Sequence, residues 1–181
     1  ALLPVAAVVL WRVTLHPLFG VDTSFRWNYL AELMFARGSL DFYPPTTGAD
    51  YALYAWPDGI APLVSSLYFW AYSLAGSVAG ALTAPVVLTQ FGLLLAAVHA
   101  LARREFPPRA GVYAVVLFAL TPMAVWAVTM GQETGLTALS LVAMLLYLPK
   151  NRAGENTPAL VMAALAAALG ALAREYGWAF L

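Results

Sequence analysis

Long apolar runs separated by short polar segments make up most of the chain. A membrane-spanning helix needs about 20 apolar residues, and six runs approach or reach that length. They are Ala1 to Leu15, Gly59 to Gly80, Ala84 to Ala102, Ala110 to Thr129, Leu136 to Leu148 and Pro158 to Ala173. The pattern predicts an all-α polytopic membrane protein. Because Ala1 and Leu181 both lie inside apolar stretches, we expect residues 1–181 to be a fragment of one transmembrane domain, with a truncated first helix and a missing C-terminal remainder.

The composition fits a chain that is surrounded largely by lipid. Hydrophobic residues make up 62% of the sequence and charged residues only 10%, whereas a soluble domain carries roughly 25% charged residues. A water-soluble globule and a disordered segment are therefore excluded. A nucleic-acid binder that relies on a basic surface is excluded as well, because 9 basic residues balance 9 acidic ones. The sequence contains no cysteine, which excludes a disulfide-stapled secreted module.

Charged residues between the runs predict the orientation of the helices. Short cytoplasmic loops collect Lys and Arg, and two such loops occur, "ARREFPPR" at 102–109 and "PKNRAGEN" at 149–156. Both are expected inside, so the turn that contains Glu133 and the stretch after Ala173 are expected outside. The segment 16–58 is net acidic and is also expected outside, as one long first loop.

The run Gly59 to Gly80 has two possible placements. If the loop 16–58 is outside and the run Ala84 to Ala102 descends to the inside, Gly59 to Gly80 cannot simply cross the membrane. Either it is a juxtamembrane or re-entrant helix on the outer side, or the loop is inside. Its aromatic residues, among them Tyr68 and Trp70, are typical of a membrane interface and favour the juxtamembrane placement.

The outer loop opens with a helical pattern. Apolar residues recur there at three- and four-residue spacing and predict an amphipathic helix, which Gly38 ends. They are Phe25, Tyr29, Leu33 and Ala36. Asp22, just ahead of this helix, is either an N-cap that accepts first-turn N–H groups or a catalytic or metal-binding carboxylate with Arg26 one turn on. Both roles can hold together, because a capping carboxylate keeps free lone pairs.

The rest of the outer loop is dense in Pro, Gly and aromatic residues. Such a segment is tolerated at membrane depth only where protein or a water-filled cavity adjoins it. Its aromatic side chains would line a sugar or lipid groove, or would merely anchor the loop at the interface. They are Tyr43, Tyr51, Tyr54 and Trp56, followed by Asp58.

Three ionisable residues from distant segments are expected together at the outer face. Asp22 opens the loop, Glu133 opens the fifth run, and Arg174 follows the sixth run, while His16 lies on the same face. Charges at helix ends cost far less than charges at mid-bilayer, so each one alone could be a boundary marker. Their convergence favours a polar site. His99, near the opposite end of its helix, is expected to be structural.

These outer-face residues belong to an ordered series of features. A first membrane helix precedes an outer loop that opens with an acidic residue ("GVDTSFRW"), a Pro-rich stretch ("FYPP", "WPDGIAPL") and an aromatic helix that ends in glycine ("LYFWAYSLAG"). An acidic residue then opens a later helix ("GQETGLTALSL") and a basic residue closes another ("ALAREYGW"). Over nearly all of its length the chain resembles the N-terminal part of a GT-C membrane glycosyltransferase of the dolichyl-phosphate-mannose protein mannosyltransferase and aminoarabinose transferase group.

The resemblance implies a multi-pass enzyme of the bacterial inner membrane, with its site facing the periplasm or the outside. Such an enzyme moves a sugar, with inversion, from a polyprenyl-phosphate donor to a protein, lipid or glycan acceptor, and the acceptor is not readable from this part of the chain. Asp22 carries over as the base or metal ligand, Glu133 as the second acidic position, and Arg174 as a basic residue near the lipid phosphate. A divalent ion, Mg²⁺ or Mn²⁺, held by Asp22 and Glu133 is one implied option. The expected substrate-binding residues are His16, Arg26, Tyr43, Asp58, Arg174, Glu175 and Tyr176.

The chemistry of these residue types suits sugar transfer. A guanidinium can stabilise a leaving phosphate, and a carboxylate can deprotonate an acceptor hydroxyl. The sequence holds no HExxH motif, Walker-type glycine loop or Cys cluster that would indicate another chemistry. The alternatives are a polytopic transporter or channel subunit, in which the same residues line a permeation path, and a purely structural membrane protein. Charges at one face, with none near the centre of a run, favour the enzyme.

Overall fold

The computed structural model describes residues 2–20, 22–40, 61–148 and 157–174, and within those ranges it is helical with no strand. This confirms an all-α fold for the described part of the chain. Its eight α-helices are α1 (Leu2–Leu15), α2 (Tyr29–Arg37), α3 (Leu63–Ala75), α4 (Ala84–Glu105), α5 (Ala110–Ala119), α6 (Pro122–Val128), α7 (Glu133–Tyr147) and α8 (Thr157–Ala173). A π-helical segment, Thr23–Asn28, leads directly into α2, and a 3-10 turn, Gly80–Thr83, leads into α4.

The lengths of the helices in the described residues bear on the expected membrane spans. Gly80–Glu105 is both long and apolar enough to cross a membrane, and α5 and α6 pass the same test only if they are counted as one span. The other apolar helices are shorter, since α1, α3, α7 and α8 have 14, 13, 15 and 17 residues. Length and composition are therefore consistent with membrane association.

The run from Ala110 to Thr129, expected to be able to cross the membrane, forms two helices. Its two helices, α5 and α6, are bent by 81° relative to each other. The break falls at Thr121, which has an extended backbone (φ −100°, ψ 92°), and α6 begins at Pro122. Proline has no N–H to continue a helix and disfavours helical geometry in the residue before it. The bend was not predicted, and it follows from the Thr-Pro pair, which interrupts the helix within an otherwise apolar run.

The predicted helix in the outer loop exists, but a different face of it is buried. The helix ends as expected at Gly38, whose φ of +65° suits glycine. The buried side chains are Trp27, Leu30, Ala31 and Met34, whereas Phe25, Tyr29 and Leu33 are half-buried and Ala36 is exposed. Because apolar residues occur nearly all round this helix, the three- and four-residue spacing is satisfied by two faces. The spacing alone could not choose between them.

Helix α3 pairs with α2 beside the outer loop. Its buried face, with Val64, Tyr68 and Tyr72, packs on Trp27 and Met34 of the loop, while Trp70 and Leu74 on the opposite face are exposed. At 1.5 Å per residue its 13 residues extend about 20 Å, less than the ~30 Å of a hydrocarbon core. This length supports the juxtamembrane placement, which stays a prediction.

Helices α7 and α8 pack with small residues inside and large residues outside. On α8 the buried positions are all small, and the exposed positions include four leucines. The small ones are Ala163, Ala166, Ala167, Gly170, Ala171 and Ala173; the leucines are Leu160, Leu165, Leu169 and Leu172. Small residues allow helix backbones to approach closely, as is usual between helices in lipid. An apolar outer surface of this extent is typical of a membrane-facing helix.

The end of α4 and the end of α7 lie together at one end of the bundle. Arg104, at the end of α4, donates to the carbonyl oxygen of Leu146 and, at 3.0 Å, to that of Leu148. The turn after α4 and the end of α7 therefore lie at the same end of the bundle. Lys150 and Arg152, which share the predicted inner side, lie outside the described residues. Glu133, at the start of α7, lies at the opposite end.

Candidate functional site

The beginning of the outer loop is joined to the turn that precedes α7. Thr23 Oγ1 donates to the carbonyl oxygen of Met130 at 3.1 Å, and Tyr68 of α3 donates to that of Gly131 at 2.5 Å. Both donors are buried. We call the contact of Gly20 and Thr23 with residues 130–132 the loop–turn junction. It brings Asp22, the neighbour of Thr23, to the same end of the bundle as Glu133.

Glycines at the loop–turn junction allow this close approach. A Cβ atom on Gly20 would lie 2.6 Å from Gln132 Nε2 and 2.7 Å from Thr23 Oγ1. Gly131 has a φ of +77°, and a Cβ atom there would lie 2.7 Å from the Tyr68 hydroxyl oxygen. Residues other than glycine rarely adopt a backbone conformation with a φ of this value. Gly131 therefore needs to be glycine for the junction to form, and a side chain at Gly20 would require Gln132 and Thr23 to shift.

Glu133 and Arg174 form an ion pair at this end of the bundle. Arg174 Nη1 lies 2.6 Å from Glu133 Oε1, and the two side chains are 27% and 7% exposed. Glu133 is the first residue of α7 and Arg174 directly follows α8. A negative charge at a helix N-terminus and a positive charge at a C-terminus each complement the helix dipole. The pair joins two residues that sequence analysis expected on one face but did not expect to be bonded to each other.

Asp22 is exposed and does not cap the helix. Its backbone is already helical (φ −58°, ψ −36°), and it makes no side-chain capping hydrogen bond with the described residues. A capping side chain turns back to the first N–H groups only when its own residue is non-helical. The helical bonding starts earlier, with Ser24 N donating to Gly20 O at 3.2 Å. The predicted N-cap is therefore wrong, and the carboxylate is open to solvent at the rim of the junction.

A buried polar chain locks the outer loop to α3. Tyr72 donates its hydroxyl to Asn28 Oδ1, and Asn28 Nδ2 donates to Glu32 Oε1 at 2.7 Å. Burial, with the charge of Glu32, raises the pKa of Tyr72 to about 12, and burial also raises the pKa of Tyr68. Both hydroxyls therefore stay protonated and act as donors at neutral pH. Sequence analysis missed this chain, although Tyr68 and Tyr72, four residues apart, share one helix face.

A second buried hydrogen bond, between α4 and the end of α6, lies against the first turn of α7. Gln90 of α4 is buried and donates from Nε2 to the carbonyl oxygen of Val128 at 2.8 Å. Gly135, in the first turn of α7, leaves the space that the Gln90 amide occupies. The amide thus fixes the end of α6 against the beginning of α7, and with it the position of Glu133.

An apolar groove of about 630 Å³ lies beside this site. It runs between the exposed face of α3 and the first turns of α4 and α7. Its lining is aliphatic and aromatic except for Thr89 and Gln90, and includes Leu67, Trp70, Leu74, Val86 and Leu136. Leu136 is one helical turn from Glu133. The groove therefore begins close to the ion pair and has the character of a site for a hydrocarbon chain.

The other predicted site residues are placed only in part. His16 is exposed, with its ring edge-on to that of Trp11 at 5.5 Å between ring centres, and Arg26 is half-buried in the π-helical segment. Four predicted residues lie outside the described ranges: Tyr43, Asp58, Glu175 and Tyr176. The same holds for Tyr51, Tyr54 and Trp56 of the aromatic loop.

The expected divalent-metal site, held by Asp22 and Glu133, stays a prediction. Among the residues described, no group of three or more His, Cys, Asp or Glu side chains comes together. Of the two expected ligands, Glu133 has one carboxylate oxygen bonded to a guanidinium, which competes with a cation for that oxygen. We therefore assign no chemical step to a metal.

No family model, no curated protein and no solved structure matches the chain. A proposal for its function therefore depends on the geometry of the site.

Proposed function

We propose that this chain belongs to a multi-pass membrane glycosyltransferase that transfers a sugar from a polyprenyl-phosphate donor to an acceptor at the outer face. One observation carries the proposal. The loop–turn junction and the Glu133–Arg174 ion pair gather an open carboxylate and a fixed guanidinium at one end of the bundle, beside an apolar groove. In transfer from a lipid-linked sugar phosphate, a carboxylate can serve as the base, a guanidinium can stabilise the leaving phosphate, and an apolar groove can hold the lipid chain.

The multi-pass arrangement is supported by the packing and the charges. Helix α8 has small residues inside and leucines outside, as expected of a helix in lipid. Arg104 and the neighbouring Arg103 and Arg109 mark the opposite end from Glu133, as expected of a cytoplasmic side. The site then faces the periplasm or another outer compartment.

Arg174 is the proposed ligand of the donor phosphate. In the transfer, the acceptor oxygen forms a bond to the anomeric carbon while the bond from that carbon to the phosphate oxygen breaks, and the bonding electrons stay on the phosphate. A guanidinium can hold two phosphate oxygens at once and stabilises the added charge. Glu133 acts as a positioning residue, because its carboxylate fixes the direction of the Arg174 side chain.

Asp22 is the proposed general base. Its exposed carboxylate, free of a capping bond to the described residues, can accept the proton of the attacking hydroxyl. A single displacement of this kind inverts the anomeric centre. The apolar groove beside Leu136 accommodates part of the polyprenyl chain, so that the phosphate lies near Arg174 and the sugar faces the outer compartment.

The test is sugar transfer in membranes that contain the intact protein, with a radiolabelled polyprenyl-phosphate sugar as the donor. Asp22→Asn preserves size but removes the charge, and we expect turnover to fall by ~10²-fold or more, the scale of losing a general base. Arg174→Lys keeps the charge but loses the two-pronged contact, so it should chiefly raise the KM for the donor.

The matched control is Glu105→Gln, which removes a carboxylate from an exposed residue at the opposite end of α4. It should leave transfer unchanged. Near-normal transfer by Asp22→Asn would remove Asp22 from the mechanism. No transfer by the unaltered protein with any polyprenyl-phosphate sugar would refute the function itself.

A further inference from the structure

A second groove, of about 460 Å³, lies on the other side of the bundle between α1 and the bent pair α5 and α6. Its walls are apolar along most of their length and include Val5, Val8, Val125 and Trp126. At one end the side chain of Arg12 joins the lining. The proposed sugar-transfer mechanism uses neither this groove nor Arg12.

Arg12 is held in place by only part of its guanidinium. Nη2 donates to Thr129 Oγ1 and, at 3.5 Å, to the carbonyl oxygen of Trp126. The guanidinium carbon lies 5.8 Å from the ring centre of Phe19. A guanidinium has five N–H donors, and within the described ranges Nε and Nη1 meet no protein acceptor. The side chain is thus fixed in direction while two of its nitrogens remain available to a ligand.

The surroundings of Arg12 indicate the level of lipid head groups. Thr129 immediately precedes the turn that forms the loop–turn junction, so Arg12 lies toward the outer end of the bundle. Trp126, which lines the groove, is 40% exposed, and Trp11, the neighbour of Arg12 in α1, is 56% exposed. Trp side chains concentrate where the hydrocarbon core meets the head groups. From Arg12 the groove therefore extends toward the depth of acyl chains.

We propose that this groove is a binding site for an anionic phospholipid, with the phosphate on Arg12 and an acyl chain between α1 and α6. The charge balance selects the lipid class. The described residues that line the groove carry one positive charge and no carboxylate, which complements a head group of net charge −1. A zwitterionic head group would bring an ammonium group that meets no carboxylate among these described lining residues.

The test measures quenching of tryptophan fluorescence by lipids brominated on the acyl chains, with the intact protein in bilayers. Brominated phosphatidylglycerol is compared with brominated phosphatidylcholine of the same chains. We expect phosphatidylglycerol to bind about fivefold more tightly, the factor that matches roughly 1 kcal/mol per basic residue at an anionic membrane surface. Arg12→Gln should abolish this preference, and Arg12→Lys should retain much of it.

Three controls separate the site from general effects. Arg109→Gln removes an exposed positive charge at the opposite end and should leave the preference intact. Thr129→Val removes one hydrogen bond of Arg12 but keeps its guanidinium. The preference for phosphatidylglycerol should therefore persist in this variant if the guanidinium binds the lipid phosphate. Trp126→Phe removes the reporter in the groove and should reduce the selective quenching. Equal quenching by the two lipids, or an equal loss of preference in Arg12→Gln and Arg109→Gln, overturns the proposal.

Discussion

Replacing Gly135 by Ala tests whether the packing beneath Glu133 positions the candidate site. A Cβ atom at this position would overlap the side-chain amide of Gln90 and would lie 2.5 Å from the carbonyl oxygen of Val128. The carbonyl belongs to the backbone of α6, and the amide is already bonded to it at 2.8 Å. Neither group can move without breaking that hydrogen bond.

The cost of the substitution combines three effects. Forcing a methyl group into a packed interior costs about 1–3 kcal/mol, and leaving the buried Gln90 amide unbonded costs about 1–3 kcal/mol. Alanine recovers about 0.5–1 kcal/mol relative to glycine within a helix. We therefore expect the free energy of unfolding to fall by about 1–5 kcal/mol. Sugar transfer should fall as well, because Glu133 moves with the first turn of α7.

The assay is denaturant unfolding of the intact protein in detergent micelles, followed by helical circular dichroism. Gly92→Ala is the matched control, because Gly92 lies exposed on α4 and a Cβ atom there meets no described atom within 4 Å. That variant should be unchanged or slightly more stable. Adding Gln90→Ala to Gly135→Ala should restore part of the loss. If Gly135→Ala unfolds like Gly92→Ala, the account of this contact is refuted.

Three further predictions concern topology and the loop–turn junction. A cysteine introduced at Gln132 should react with an impermeant thiol reagent added outside and one at Asn151 should not; labelling of both from one side would contradict the orientation. A reporter fused after Gly80 should appear on the same side as one fused after Asp41, and opposite sides would mean that α3 crosses the membrane. Tyr68→Phe, which leaves a buried carbonyl without its donor, should lower the free energy of unfolding by about 1–3 kcal/mol in the same unfolding assay, and an unchanged value would mean that the junction does not depend on this bond.

The helices could be predicted from the sequence far better than the contacts between them. Apolar runs located α4, α7 and α8 to within a few residues, because such runs have few alternatives to a helix. The break at Thr121 could also have been predicted from the sequence, because Pro122 disfavours a helical backbone in the residue before it. The buried face of α2 was not, because Trp27 and Phe25 are both apolar and only the partner helix α3 decides between them.

For the candidate site, the sequence predicted only that its residues lie on the same side of the membrane, not which of them are bonded to each other. Topology placed Glu133 and Arg174 on one face, but their bond joins residues 41 positions apart. The Tyr72–Asn28 and Gln90–Val128 hydrogen bonds span 44 and 38 positions. No local pattern encodes such pairings, since each depends on how two helices are rotated against each other. Polar residues on otherwise apolar helices are the only local signal for them.

The loop–turn junction also sets an order of events during protein synthesis. Thr23 and Met130 are 107 residues apart, so at about 5–20 residues per second the ribosome needs roughly 5 to 20 s to supply the second partner after the first. During that interval the bonds that Thr23 and Tyr68 donate to Met130 and Gly131 cannot form, because their acceptors have not been made. The Tyr72–Asn28 bond spans only 44 residues and can form earlier. The attachment of the loop to α3 can therefore precede the loop–turn junction, and a chain that stops before Met130 would lack both acceptors of the junction.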